Sequence, residues 1–159
     1  MEANRTRDEW IALRCQAGEP GAFEELVAVM ERPLLYYATK LTGKQERALD
    51  VLQEVWIRAF RGLRKLKDPG ALRPWLYTIA HAIAVDGIRR ETSRERAEEL
   101  HSEAFQEACE PAFAEEDSAA VHRALDELEP VQREVLTLHF LEDFSLAEIS
   151  GIIGCPEGL

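Results

Sequence analysis

Apolar residues along this chain recur at steps of three and four, which predicts a succession of amphipathic helices. Asp8 to Ala17 reads as a short helix with Trp10, Leu13 and Ala17 on one side, ended by Gly18-Glu19-Pro20-Gly21. Phe23, Leu26, Val27, Met30, Leu34, Tyr37, Ala38 and Leu41 then sustain a longer stripe, closed by Thr42-Gly43. Pro33 lies inside it and predicts a kink or a restart. A third helix follows from about Gln45 to Leu63, with Leu49, Leu52, Trp56, Phe60 and Leu63 as its expected core stripe. Its other face is polar around one apolar residue: Asp50, Gln53, Glu54, Ile57, Arg58 and Arg61. Pro74 suits the first turn of a fourth helix, where its missing N–H is not needed. Leu76, Ile79, Ile83 and Gly87 continue that helix, and Arg89 and Arg90 are placed at its C-terminal end, where cations favour the helix dipole.

The pattern then weakens. Residues 91–117 hold ten acidic side chains and few large apolar ones, Leu100, Phe105 and Phe113, and Glu110-Pro111 breaks any helix. This stretch is expected to be a linker, helical only at its start. From Ser118 the stripes return: Val121, Leu125 and Leu128, then, after Pro130, Val131, Val135 and Leu138 with Leu136 and Phe140 close by. Leu141-Glu142-Asp143-Phe144 is a turn. Ser145-Leu146-Ala147-Glu148 is a capping box, in which Ser145 and Glu148 cap each other's backbone N–H. Leu146, Ile149, Ile152 and Ile153 form the apolar face of the helix it opens, and Gly154 suits a left-handed C-terminal position. The expected fold is all-α: two small helical domains, residues 1–90 and 118–159, joined by an acidic linker, 91–117.

Charge sharpens this division. Residues 1–90 carry 15 basic and 12 acidic side chains, whereas residues 91–159 carry 4 and 18, for a net −11 overall. An acidic half repels DNA unless another protein supplies the positive field, so this balance suits a subunit docked on a large basic enzyme better than a free-standing operator binder. Three cysteines, Cys15, Cys109 and Cys155, lie far apart with no metal-ligand spacing, and are read as reduced cytosolic thiols. No apolar run is long enough to span a bilayer, and MEANRTRDEW lacks the apolar core of a secretory signal, so a cytoplasmic protein without membrane insertion is expected. His81, His101, His122 and His139 sit on separate segments, and no nucleophile–base or metal constellation argues for an enzyme, a metal site or a cofactor.

The chemistry-bearing stretch is Asp50 to Arg90. Between its helices lies a loop rich in cations, with Arg64, Lys65, Lys67 and Arg73 around the turn Asp68-Pro69-Gly70, and Trp75 and Tyr77 follow it. Cations beside rings are what single-stranded nucleic acid binding requires. The run QEVWIRAF, then WLYTIA, then DGIRR resembles regions two-two to two-four of the extracytoplasmic-function (ECF) sigma factors, bacterial RNA polymerase specificity subunits. LEDFSLAEISGIIGCPEGL is similar to region four of the same family. The resemblance covers roughly Phe23 to Leu159.

It implies that Asp50, Gln53, Glu54, Ile57 and Arg58 dock on the clamp helices of the polymerase beta-prime subunit, a face that periodicity alone reads as solvated surface. It implies that Arg64, Lys65, Lys67, Arg73, Trp75, Tyr77, Thr78, His81, Arg89 and Arg90 meet promoter DNA, with the non-template minus-ten strand held near the loop and one base flipped out. For Trp75, plain core packing is the competing reading. Core polymerase, promoter DNA and an anti-sigma factor are the implied partners. Two departures stand out. Family members carry I-A-R-N where Ile79-Ala80-His81-Ala82 stands here, so an amide that both donates and accepts is missing. The sequence also ends where the family's recognition helix begins, so region four is expected to lack its groove reader. The other readings are a sigma-like interaction protein that does not read a promoter, and a small helical enzyme.

Overall fold

The structure, a computed structural model, describes residues 2–98 and 116–155; the linker residues 99–115 and the last four residues, where the recognition helix was expected to begin, lie outside it. The described residues form seven α-helices and no strand: α1 (Glu2–Gln16), α2 (Ala22–Thr42), α3 (Gln45–Gly62), α4 (Leu72–Glu98), α5 (Glu116–Asp126), α6 (Pro130–Leu136) and α7 (Leu146–Ile153). Two 3-10 turns, Leu63–Lys65 and Pro69–Ala71, lie between α3 and α4, and a π-helical turn, Thr137–Leu141, extends α6.

The first four helices pack around Leu26, Met30, Leu34, Tyr37, Val55, Leu72 and Leu76, all fully buried. Pro33 does not restart α2: the helix is continuous across it, with Met30 and Leu34 buried on either side of the proline. Gly43 closes α2 in the left-handed conformation, φ 72°, and its N–H donates to the Thr39 carbonyl.

Several stripes differ from expectation. In α3 the buried row is Ala48, Val51, Leu52, Val55 and Ala59, while Leu49 is 51% and Phe60 68% exposed. The smaller residues go inward because α3 approaches α2 and α4 closely, and Phe60 lies outside against the edge of Phe23, ring centroids 5.2 Å apart. Helix α1 starts six residues earlier than expected and buries Asp8, Ile11 and Ala12, leaving Trp10, Leu13 and Ala17 exposed. Helix α4 begins at Leu72, placing Pro74 third, and runs past Arg89 and Arg90, which therefore do not sit at a helix end. Beyond the linker, Val121, Val131, Phe140 and Leu146 are exposed, and Leu125, Leu138, Phe144, Ile149 and Ile152 face inward. The capping box at Ser145 forms as expected, with Glu148 N–H donating to Ser145 Oγ at 3.2 Å and Ser145 N–H to Glu148 Oε2 at 2.9 Å.

Helices α6 and α7 lie directly on α2 and α4, and Leu138, Phe144, Ile149 and Ile152 join the same apolar cluster as the first four helices. The seam is also polar. Tyr37 Oη donates to Glu134 Oε1 at 2.6 Å, and His81 Nδ1 lies 2.6 Å from the same oxygen. Tyr77 Oη donates to Glu142 Oε2 at 2.7 Å, with Arg73 Nη1 4.0 Å from that oxygen. At the rim Lys40 pairs with Asp126 at 2.6 Å, and Tyr36 meets His122. Burial, then the charge of Glu134, pushes the Tyr37 hydroxyl far above its ordinary range, and burial does the same for Tyr77 beside Glu142, so both remain proton donors. The left-handed Asp143, φ 56°, turns the chain so that Glu142 and Phe144 both enter the seam.

Burial raises the Glu142 carboxyl from 4.5 to about 7, against the lowering effects of the Tyr77 hydrogen bond and Arg73; Asp143 adds to the rise, and Asp8 faces it across Arg73. A raised carboxyl favours the packed state at low pH, and that stability is lost as pH climbs from about 4.5 through about 7. Glu142→Gln keeps an acceptor for Tyr77 without the charge. Chemical denaturation at pH 5 and pH 8 should show the variant gaining on the parent chain by up to about 3 kcal/mol at the higher pH; a difference independent of pH would contradict the burial of this charge. A second pair tests the α3 stripe. Leu52→Ala should cost about 2–5 kcal/mol in urea denaturation, and Leu49→Ala at most about 0.5 kcal/mol.

Candidate polymerase and nucleic-acid faces

Two surfaces of the first four helices collect the residues singled out above. The first is the outer face of α3. Asp50, Gln53, Ile57 and Arg58 are exposed and Glu54 is half-buried, all opposite the buried Val51, Val55 and Ala59 row. Glu54 and Arg58 form an i, i+4 ion pair at 2.9 Å, which orders the polar side chains around Ile57, 42% exposed. A groove runs from this face toward α4, with Arg47 paired to Glu91 along its floor.

The second surface is the loop between α3 and α4 with the start of α4. Arg64, Lys65 and Lys67 are exposed and form no ion pair with any described residue. Asp68 caps the second 3-10 turn by accepting from Gly70 N–H at 3.0 Å. Trp75 is half-buried: its ring lies against the core and so close to Gly62 that a Cβ there would stand 3.0 Å from it. A glycine at the end of α3 thus makes room for the indole. Thr78 is exposed and bonds back to the Pro74 carbonyl at 2.8 Å.

The remaining expected DNA contacts are placed differently. Arg73, Tyr77 and His81 lie in one i, i+4, i+8 row on α4, and all three are covered by α1 and the second half. Tyr77 is fully buried, Arg73 is held by Asp8 at 2.8 Å, and His81 by Glu134. In this arrangement Tyr77 is closed off, while Arg73 and His81 are half-buried and paired, Arg73 with Asp8 of α1 and His81 with Glu134 of α6. Arg89 and Arg90 are exposed farther along α4. Sequence reasoning passed over Asp8 and Gln16, which hold the loop and Arg73; a carboxylate on the inner face of α1 was the available signal.

Among the described residues no group of His, Cys, Asp and Glu is arranged to hold a metal ion, and no helix is long and apolar enough to cross a membrane.

Residues 26–94 match the family Sigma-70 region 2, and residues 118–159 match Sigma-70, region 4. The RNA polymerase sigma-H factor of Pseudomonas aeruginosa is 30% identical over 96% of this chain and 85% of its own length. The ECF RNA polymerase sigma-E factor of Escherichia coli is 29% identical over 95% of the chain and 85% of its own. The ECF factor BldN of Streptomyces coelicolor is 33% identical, but the chain spans 57% of its length. Among solved structures, RpoE of Bartonella quintana in complex with the anti-sigma factor NepR superposes with a TM-score of 0.67 at 22% identity, covering 86% of this chain and 85% of that one. CnrH in complex with the cytosolic domain of CnrY gives 0.62 at 21%, covering 94% and 84%. These likenesses favour the sigma-factor reading over a sigma-like protein that reads no promoter. With both conserved regions matched in order and the same helical fold observed, the chain belongs to the ECF group of RNA polymerase sigma factors, which direct transcription initiation.

Proposed function

We propose that this sigma factor docks on the clamp helices of the polymerase beta-prime subunit through Asp50, Gln53, Glu54, Ile57 and Arg58, and takes the non-template minus-ten strand with its basic loop and α4. The observation that carries the first assignment is an exposed Ile57 among polar side chains, the Glu54–Arg58 pair with them, on the side of α3 away from the core. An apolar anchor within a polar rim is the usual anatomy of a docking surface. For the strand, Arg64, Lys65 and Lys67 offer charge at the loop, Trp75 and Thr78 stand next to it, and Arg89 and Arg90 lie along α4 toward the upstream duplex. Tyr77 and His81 join them only once α6 and α7 have left α4, and Arg73 stands beside the loop paired with Asp8 of α1. An anti-sigma factor is a third partner of the family, NepR bound to RpoE being one case. The protein works in the cytoplasm with polymerase and catalyses no reaction of its own.

Replacing Gln53 and Ile57 with alanine should weaken core polymerase binding by about 1–3 kcal/mol and leave the unfolding midpoint unchanged. A folded double variant that binds core polymerase normally removes the α3 assignment. Replacing Lys65 and Lys67 with alanine should weaken holoenzyme binding to a fork-junction template with an open minus-ten region. The slope of log K against log salt should shrink by about 0.7 for each lost phosphate contact.

A further inference from the structure

Helix α1 lies ahead of both matched regions, yet it touches the basic loop along most of its length. Gln16 Nε2 donates to the Leu63 carbonyl at 3.1 Å and to the Leu66 carbonyl at 2.8 Å. These two oxygens bracket Arg64 and Lys65. Leu63 O already accepts from Leu66 N–H at 3.1 Å, so the first 3-10 turn is closed from inside by its own backbone and from outside by one amide group. Eight residues earlier in the same helix, Asp8, 4% exposed, holds Arg73 at the far end of the loop. One turn before Asp8, Arg5 reaches Gly70, where an added Cβ would stand 3.5 Å from its Nε. Arg64, Lys65 and Lys67 meanwhile are exposed, without ion pairs to described residues. The loop backbone is fastened and its cations are left free.

A fastened loop loses less conformational freedom on binding a strand than a loose one does. We propose that Gln16 and Asp8 are positioning residues for promoter DNA: α1 acts as a splint that presets the basic loop to receive the minus-ten strand. This rests on the loop's assignment to DNA above. Gln16 is suited to the task because it donates both N–H bonds of one amide to carbonyls 3 residues apart, and it is half-buried, so water competes weakly. Neither residue need touch DNA.

The test uses the full chain with core polymerase. Gln16→Glu keeps the side chain's length but removes both donors and sets a carboxylate against two carbonyls. Gln16→Met removes them without adding charge, and serves if the glutamate variant does not fold. The expected result has three parts. The unfolding midpoint and the affinity for core polymerase stay at parent values. Affinity of the holoenzyme for a fork-junction template with an exposed minus-ten strand falls roughly tenfold. Amide exchange at Leu66, Gly70 and Ala71, whose N–H groups are bonded within the loop, accelerates. Unchanged strand affinity in a folded variant overturns the proposal, as does a parallel loss of core and strand affinity, which would make Gln16 merely structural. Lys65→Ala/Lys67→Ala distinguishes the layers. If that variant binds the strand normally, the loop's DNA role fails and the splint with it. If it weakens binding while Gln16→Glu does not, only the splint fails.

Discussion

The arrangement of this protein depends on giving partners to polar groups on the buried side of α4. Tyr77 is fully buried, with the Tyr37 ring tilted against it at 5.0 Å and the Phe144 ring edge-on at 4.9 Å. A buried phenol without an acceptor costs about 1–3 kcal/mol. Glu142 provides the acceptor for Tyr77, and Glu134 for Tyr37 and His81. Both carboxylates come from the second half of the chain. The apolar contacts of Leu138, Phe144, Ile149 and Ile152 are non-directional, whereas these five polar groups admit one register, so they set where α6 and α7 sit on α2 and α4.

That register has a functional consequence. Arg73, Tyr77 and His81, the α4 row expected to face DNA, are each partnered in this arrangement by a carboxylate: Asp8, Glu142 and Glu134. The strong negative charge of residues 91–159 thus has a local use beyond solubility: Glu134 and Glu142 occupy the row, and Asp126 pairs Lys40 at the rim. A seam this polar, with burial raising one of its carboxyls to about 7, is held less firmly than a purely apolar core of the same extent. The basic loop is organised in the opposite way. Its cations lie free at the surface, and its backbone is tied down by α1.

Local chemistry was legible in the chain itself. The capping box at Ser145, the left-handed glycines at Gly43 and Gly154 and the helical class of the fold all follow from short-range pattern, because caps, periods and turn residues act within one or two turns of backbone. The polar face of α3 could be read because it needed only to lie opposite a core stripe, and it does so even though Ala48, Val51, Val55 and Ala59 joined Leu52 in that stripe and Leu49 and Phe60 turned outward, with Trp56 half-buried against the core.

What only the tertiary structure decided is which apolar residues face inward, and what meets the α4 row. A large side chain predicts burial only when its neighbours leave room. Close approach of α2, α3 and α4 selected alanines and valines for the contact and left Leu49 and Phe60 outside. Nothing local in Tyr77 or His81 distinguishes a DNA contact from a core hydrogen bond, since the same polar tip on an aromatic body serves both. Their partners lie 65 and 53 residues away in sequence, as does Asp8 from Arg73, at 65. Sequence alone determined the helices and the faces they could offer; the long-range pairing of carboxylates with tyrosine, histidine and arginine determined which of those faces this arrangement leaves open.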